Sequence, residues 1–343
     1  MKKLLFILLF CLFCKQPFSN AGVIGTTRWV KNDKTICIYF DNHTNGTPEQ
    51  NAQHFNHIRE TVIDSAATRT RPLLMLVENY MREPQYRQLA QSLEMAFGDH
   101  QRFLQQFDEW VGRDLGVNLI IKSFDARVVP FLTFPLFCEW QKRCKGRSTL
   151  PDQIFTQLDT AFESLTFGDV FARANEIDHY IEQVPQGSAL KNIFLEQKQG
   201  MLELIGKAKS ILLSGGFSSE EINSKPIKVI WNEMPHNPIK YAAWMKLFIG
   251  YRGQDFWTAD LLWQLTNANM LWEAIMFNGD VAIFTGSYHA IAMEECLRTL
   301  GYKQTGIAKR NQVEIERSFF QGEQEYSDTK MELISFQSYS WMK

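Results

Sequence analysis

The chain lacks the short motifs that mark the commonest enzyme templates. It contains no GxSxG nucleophile elbow, no HExxH zinc motif, no P-loop and no glycine triplet of a dinucleotide-binding unit. It also lacks an excess of charge, because 36 Lys and Arg nearly balance 38 Asp and Glu. Without a basic surface to neutralise phosphates, nucleic acid is not an expected partner. Hydrolysis on a less common template remains open.

Cysteine is scarce, with six residues in 343. None of them forms the paired CxxC spacing of a structural zinc site. We expect Cys37, in a strand, and Cys296, on a helix face, to be buried apolar residues. Cys138 and Cys144 would close a small disulfide loop in an exported protein, and the sequence leaves their state open.

Long apolar runs are absent except at the N-terminus. Lys2-Lys3, the apolar stretch Leu4–Phe13 and the small-x-small site Ser19-Asn20-Ala21 together predict a signal peptide over residues 1–21. The protein is therefore expected to be exported, to the periplasm or the extracellular space. Lipid anchoring at Cys11 is the less favoured alternative, because the bulky Phe10 precedes the cysteine. No later segment is apolar enough for a transmembrane helix in the mature chain.

The remaining chain is rich enough in apolar residues, 45% of the total, to bury a large core. Short apolar runs alternate with amphipathic stretches, which is typical of strand–helix–strand units with parallel pairing. The prediction is one α/β domain over residues 22–343, with a central mixed, largely parallel sheet flanked by helices. The predicted strands are Thr35–Phe40, Leu73–Val77, Val117–Phe124, Ile227–Trp231, Val281–Thr285 and Met331–Phe336.

The middle of the chain has a different pattern. From about residue 151 to 213 the apolar residues recur at helical spacing, and no strand interrupts them. This segment, closed by the turn Ser214-Gly215-Gly216, predicts an inserted helical cap. We expect it to cover a pocket at the sheet and shape specificity.

Polar residues follow three of the predicted strands. Asp41-Asn42-His43 follows the first, Glu78 the second, and Gly286-Ser287-Tyr288-His289 the strand near the end of the chain. Ligands of open α/β sheets bind at the carboxyl ends of the strands. We therefore expect His43, Glu78 and His289 to line one cleft, with Asp41 orienting His43 through a hydrogen bond.

Two chemistries fit these catalytic candidates. In one, His43, His289 and Glu78 hold a divalent metal ion of unknown identity that polarises water or a carbonyl. In the other, no metal takes part, and His43 is a general base with Glu78 as its electrostatic partner.

Substrate-binding candidates lie near the same edge. Arg127 follows the third predicted strand and is suited to a carboxylate or an oxyanion, although a loop salt bridge with Asp125 is the alternative. His54 shares a helix face with His57 and faces the sheet edge, unless the pair is simply exposed. Gly286 permits a sharp, close-packed turn beside the ligand.

Three segments of the chain resemble the TIKI/TraB–ChaN–erythromycin-esterase superfamily of Gly-x-x-His proteins. They are Phe40–Gly46 with the helix that holds His54, Leu74–Glu78, and the block from Asn269 through His289 to Tyr302. Phe40 stands where members of the superfamily commonly have glycine. The late Gly-x-x-His block is the most specific of the three segments.

The resemblance implies a function of the exported chain. Members include metal-dependent peptidases, esterases that act through a histidine base, and haem-binding proteins. The expectation is a hydrolase of a small-molecule or peptide substrate that uses paired histidines and a glutamate. The alternative is a non-catalytic envelope protein that binds haem or a similar ligand, with His54 as a ligand and Met270 and Met276 in an apolar pocket. The sequence predicts no oligomeric state.

Overall fold

The structure is a computed structural model that describes residues 22–42, 52, 55–56, 58–63, 70–78, 107, 110–112, 118–126, 163–233, 236–248 and 257–308. These residues form a six-stranded sheet with helical segments on both faces. Its strands are β1 (Gly22–Lys31), β2 (Lys34–Asn42), β3 (Leu73–Val77), β4 (Leu119–Ser123), β5 (Asp280–Gly286) and β6 (Lys303–Ala308).

The helices lie mainly in the middle and toward the end of the described chain. They are α1 (Phe167–Ala172), α2 (Glu176–Gln183), α3 (Ala189–Ser214), α4 (Ser219–Ser224), α5 (Ile227–Glu233), α6 (Pro238–Phe248), α7 (Trp257–Met276) and α8 (Ser287–Thr299). A 3₁₀ turn, Arg173–Asn175, joins α1 to α2, and a π-helical turn covers Arg59–Ile63.

The strand order across the sheet is β4-β3-β5-β2-β1-β6. Strands β4, β3, β5 and β2 pair in parallel, whereas β1 is antiparallel to both of its neighbours. The predicted α/β class with a mixed, largely parallel sheet is confirmed. In this register Asp41 lies opposite Gly286 and Val77 opposite Phe284, so the carboxyl ends of the parallel strands meet at one edge.

The central strands are buried on both faces, which explains their nearly continuous apolar sequences. On one face, Ile36, Ile38 and Leu74 belong to a large core shared with the helices. Helices α7 and α8 contact strands of the sheet, and α2 and α3 pack on α7. On the other face, Tyr39 and Phe284 pack with residues of the 55–63 and 107–111 segments.

The segment predicted as a helical cap contains α1, α2 and α3, and residues 151–162 of it lie outside the described ranges. Helix α1 begins with a capping box, in which Thr166 and Asp169 bond each other's backbone N–H groups. Helix α3 ends in the predicted turn, where Gly216 adopts φ +82°. The buried side chains of α1–α3 join the same core as the sheet, so this segment forms the outer helical layer of the domain.

One predicted strand is wrong. Residues 227–231 begin helix α5, directly after Pro226, and proline is favoured at helix starts. Ile227 and Ile230 are buried while Val229 is 39% exposed, which is a helical spacing of three rather than a strand alternation. A short apolar run cannot be assigned to strand or helix by periodicity alone, and that ambiguity produced the error.

Strands β1 and β6 were not predicted, and the predicted last strand, Met331–Phe336, lies outside the described residues. Strands β1 and β2 form a hairpin through Asn32-Asp33, where Asn32 adopts φ +53°. An asparagine in a two-residue turn between apolar segments is a hairpin signal, and it was available in the sequence.

The cysteines within the described ranges agree with the prediction. Cys37 is buried and Cys296 is partly buried, and neither of these two forms a disulfide. Burial raises the pKa of the Cys296 thiol to about 12, so this side chain is a poor nucleophile. Cys138 and Cys144 lie outside the described residues. No helix within the described ranges combines the length and the apolar character needed to cross a membrane.

Lys34 gives a testable pH dependence of stability. Its Nζ donates to the carbonyl oxygens of Ile275 (3.0 Å) and Phe277 (2.6 Å) at the end of α7. Burial, opposed by Asp280, lowers the pKa of Lys34 to about 8. A lysine pKa that is lower in the folded chain means that the unfolded chain binds more protons between about pH 8 and 10.5, so stability from this group rises with pH.

We therefore expect the unfolding free energy of the wild type to increase from pH 8 to pH 10 relative to Lys34→Met. Urea unfolding at several pH values measures this difference, in which the titrations common to both proteins cancel. Parallel pH profiles for the two proteins would contradict the prediction.

Candidate active site

Three acidic side chains lie buried at the carboxyl edge of the parallel strands. Asp41 is 3% exposed, Glu78 6% and Asp125 1%. Burying a carboxylate is costly unless hydrogen bonds or a cation compensate for the lost hydration. Because open α/β sheets bind ligands at this edge, the buried acids make it the candidate site.

Glu78 is held by the strand next to it. Its Oε2 accepts hydrogen bonds from the hydroxyl of Thr285 (2.6 Å) and from the backbone N–H of Gly286 (2.7 Å). The backbone N–H of Glu78 donates to the carbonyl oxygen of Phe284 at 3.0 Å, which continues the ladder between β3 and β5. Gly286 is the N-cap of α8, so the positive end of that helix also stabilises the Glu78 carboxylate.

His289 lies in the first turn of α8, which begins at Ser287. The imidazole is 3% exposed. Its Nε2 lies 3.5 Å from Glu78 Oε1, and its Nδ1 lies 2.6 Å from the side-chain oxygen of Asn267. The structure thus brings together two of the three residues that were predicted to share a cleft.

The contact with Asn267 determines which lone pair His289 presents. An amide oxygen accepts, so Nδ1 carries the hydrogen, and in the neutral ring Nε2 keeps its lone pair. That lone pair lies 3.5 Å from Glu78 Oε1, and a cation between the two atoms would bind both. The cation can be a shared proton or a metal ion.

These two donor atoms are spaced as two ligands of one divalent metal ion would be. Two ligands about 2.1 Å from one tetrahedral ion lie about 3.4 Å apart, and the observed Nε2–Oε1 distance is 3.5 Å. A metal-binding histidine commonly donates its other N–H to an oxygen acceptor, as His289 does to Asn267. Within the described ranges no group of three or more His, Cys, Asp and Glu side chains could hold a metal ion. A third protein ligand would come from outside these ranges, whereas water or substrate could fill an open position.

Asn267 was not among the predicted site residues. It belongs to the run Thr266-Asn267-Ala268-Asn269, which interrupts an otherwise apolar stretch of α7. Thr266 donates to Asp125 Oδ1 (3.4 Å) and accepts from the backbone N–H of Ala126 (3.2 Å). Asn269 donates to the carbonyl oxygen of Phe124 (2.6 Å) and accepts from Tyr180 (2.9 Å). Polar residues in a mostly apolar helix were a signal, available in the sequence, that these positions have buried hydrogen-bond partners.

The other predicted site residues divide into two groups. Asp41 is buried at the site edge and pairs in register with Gly286, and its proposed role of orienting His43 stays a prediction. Gly286 is buried and adopts φ −63°, a conformation open to any residue, and its predicted close-packed place beside a substrate stays a prediction. His43, His54 and Arg127 lie outside the described residues, as does the possible Asp125–Arg127 ion pair.

A pair of variants on α7 tests the role of Asn267. Asn267→Leu removes the acceptor for Nδ1, and we expect metal affinity or activity to fall about 10- to 100-fold. Asn267→Asp keeps an acceptor and should retain most of that affinity. Metal titration by calorimetry measures both variants.

Asn269→Leu is the matched control for this experiment. It removes a second buried asparagine of the same helix, whose side chain bonds the Phe124 carbonyl oxygen and the Tyr180 hydroxyl. We expect it to lower the free energy of unfolding by about 1–3 kcal/mol while metal affinity stays unchanged. Equal losses of affinity in the Asn267→Leu and Asn269→Leu variants would show that Asn267 acts only through stability.

Comparison of the chain with protein-family models, with curated proteins and with solved structures gave no match.

Proposed function

We propose that the protein is an exported hydrolase of the TIKI/TraB–ChaN–erythromycin-esterase type that acts on a peptide or an ester. The observation that supports this proposal best is the buried contact of His289 with Glu78, braced by Asn267. A buried imidazole beside a buried carboxylate at the ligand-binding edge of an α/β sheet is suited to proton transfer or metal binding.

In this proposal Glu78 and His289 hold a divalent ion together with His43, which follows β2 by one residue. A bound divalent ion supplies a Lewis acid that polarises a carbonyl group or lowers the pKa of water. Asn267 keeps the Nδ1 hydrogen in place, and Thr285 with the Gly286 N–H orients the Glu78 carboxylate. Asp41 orients His43, and Arg127 and His54 bind the substrate.

The proposal is tested with the purified chain, first stripped of metal and then loaded with individual divalent ions. Hydrolysis of a panel of peptides and esters is expected to depend on the added ion, and Glu78→Gln and His43→Ala should each abolish it. If the metal-stripped and the metal-loaded protein are equally active, and His43→Ala is inactive, the result would favour the metal-free mechanism with His43 as base. Absence of hydrolysis across the panel in every form would contradict the proposed function.

The haem-binding alternative receives little support from the described residues. Met270 is fully buried in the hydrophobic core, whereas Met276 is 50% exposed near the end of α7. The two methionines therefore do not line one pocket, and the alternative depends on His54. Titration of the protein with haem, followed by visible absorption, tests it, and an unchanged Soret band would rule it out.

A further inference from the structure

Three aromatic side chains lie against His289 at the candidate site: Phe124, which is fully buried, Trp263 and Tyr288. The ring centroids of Trp263 and Tyr288 are 4.9 Å apart, with the ring planes tilted by 41°. Both rings meet the imidazole of His289 nearly at right angles, at 6.4 Å for Trp263 and 5.7 Å for Tyr288. The rings of Trp263 and Tyr288, here called the aromatic pair, thus form a wall beside the imidazole.

Helices α7 and α8 carry the aromatic pair and place both rings beside His289. Trp263 and Asn267 are four residues apart on α7, so they share one helix face, and both contact His289. Tyr288 precedes His289 in the first turn of α8. The same helices therefore fix both the polar contacts of the imidazole and the aromatic surface beside it.

The exposure of Tyr288 distinguishes this pair from the other aromatic residues. Among the aromatic side chains that the structure describes, Tyr288 alone is exposed, at 40%, and Trp263 is half-buried. All the other described aromatic side chains are buried or half-buried in the packing of the fold. The exposed ring of Tyr288 lies next to the buried imidazole of His289, so it offers an apolar surface to a molecule bound at the site.

We propose that the aromatic pair is a substrate subsite for an aromatic group next to the bond that is hydrolysed. This inference rests on the proposed function and names the substrate class of the same site. Offset and edge-to-face contacts between aromatic rings add stabilisation beyond the burial of area. Trp and Tyr side chains lose little conformational entropy when they order around a ligand, which suits them to recognition of rings.

The test compares two matched esters, N-acetyl-phenylalanine ethyl ester and N-acetyl-alanine ethyl ester. Wild type should prefer the phenylalanine ester. Tyr288→Ala should raise KM for that ester roughly 2- to 10-fold, with kcat and the alanine ester little affected. Tyr288→Phe keeps the ring and should retain the preference. Tyr288 is exposed, so its substitution leaves the core intact.

Binding of the two corresponding amides, followed by calorimetry, tests the subsite without any hydrolysis. Preferential binding of the phenylalanine amide that is lost in Tyr288→Ala supports the subsite even if no ester is cleaved. An unchanged preference in Tyr288→Ala, or no preference in wild type, would overturn it while leaving hydrolysis itself untouched. If Tyr288→Ala changes the oligomeric state but not the affinity for the amides, the ring belongs to a contact between copies of the chain. That result would also overturn the proposed subsite.

Discussion

Replacement of His289 by alanine is expected to lower hydrolysis by at least about 100-fold and to abolish retention of a divalent ion. The imidazole provides one of two electron-pair donors that lie 3.5 Å apart, and no neighbouring described side chain duplicates it. Activity assays and elemental analysis of the purified variant measure the two losses.

A histidine outside the site provides the control. His236 is exposed near the start of α6, and His236→Ala should leave both activity and metal content unchanged. Since removal of a buried imidazole can also disturb folding, His289→Gln serves as a variant of more similar volume. Wild-type metal content in a folded His289→Gln variant would contradict the assigned role.

The second large effect concerns the core beneath the site. Phe284→Ala is expected to lower the free energy of unfolding by about 3–5 kcal/mol. The Phe284 ring is fully buried in the central strand β5 and stacks on Tyr39, with 4.5 Å between ring centroids and 6° between planes. It also contacts Phe107 at 5.8 Å, so its removal leaves a cavity on that face of the sheet.

Chemical denaturation followed by circular dichroism measures this loss. Ile307→Ala in β6 is the control, because that side chain is 50% exposed and its removal should change stability by less than about 0.5 kcal/mol. Similar losses for the two variants would show that the stacked rings do not form a tightly packed part of the core.

The convergence of strand ends was predictable because it follows from topology. Apolar runs such as 73–77 and 281–285 have the composition of strands buried on both faces, and such strands pair in parallel. Once they are parallel, the residues that follow them share one edge, which places Glu78 beside the Gly286–His289 turn. Glu78 Oε1 and His289 Nε2 accordingly lie 3.5 Å apart, while the predicted cleft shared with His43 stays a prediction.

Other features depended on information that local patterns do not contain. The composition of the run 227–231 is compatible with either a strand or a helix. Only its packing against the helical layer decides between the two structures. Asn267 is 22 residues from His289 in the sequence, and a polar residue in a helix does not reveal its partner. Its acceptor role could be identified only when α7 and α8 were placed together.

The most direct test of the account is a crystal structure of the protein soaked with manganese or zinc, with anomalous scattering recorded at the metal edge. One anomalous peak is expected about 2.0–2.2 Å from His289 Nε2 and Glu78 Oε1, with the imidazole of His43 as a further ligand. No peak at this position, with the His43 ring beyond the reach of a shared ion or water, would contradict this expectation.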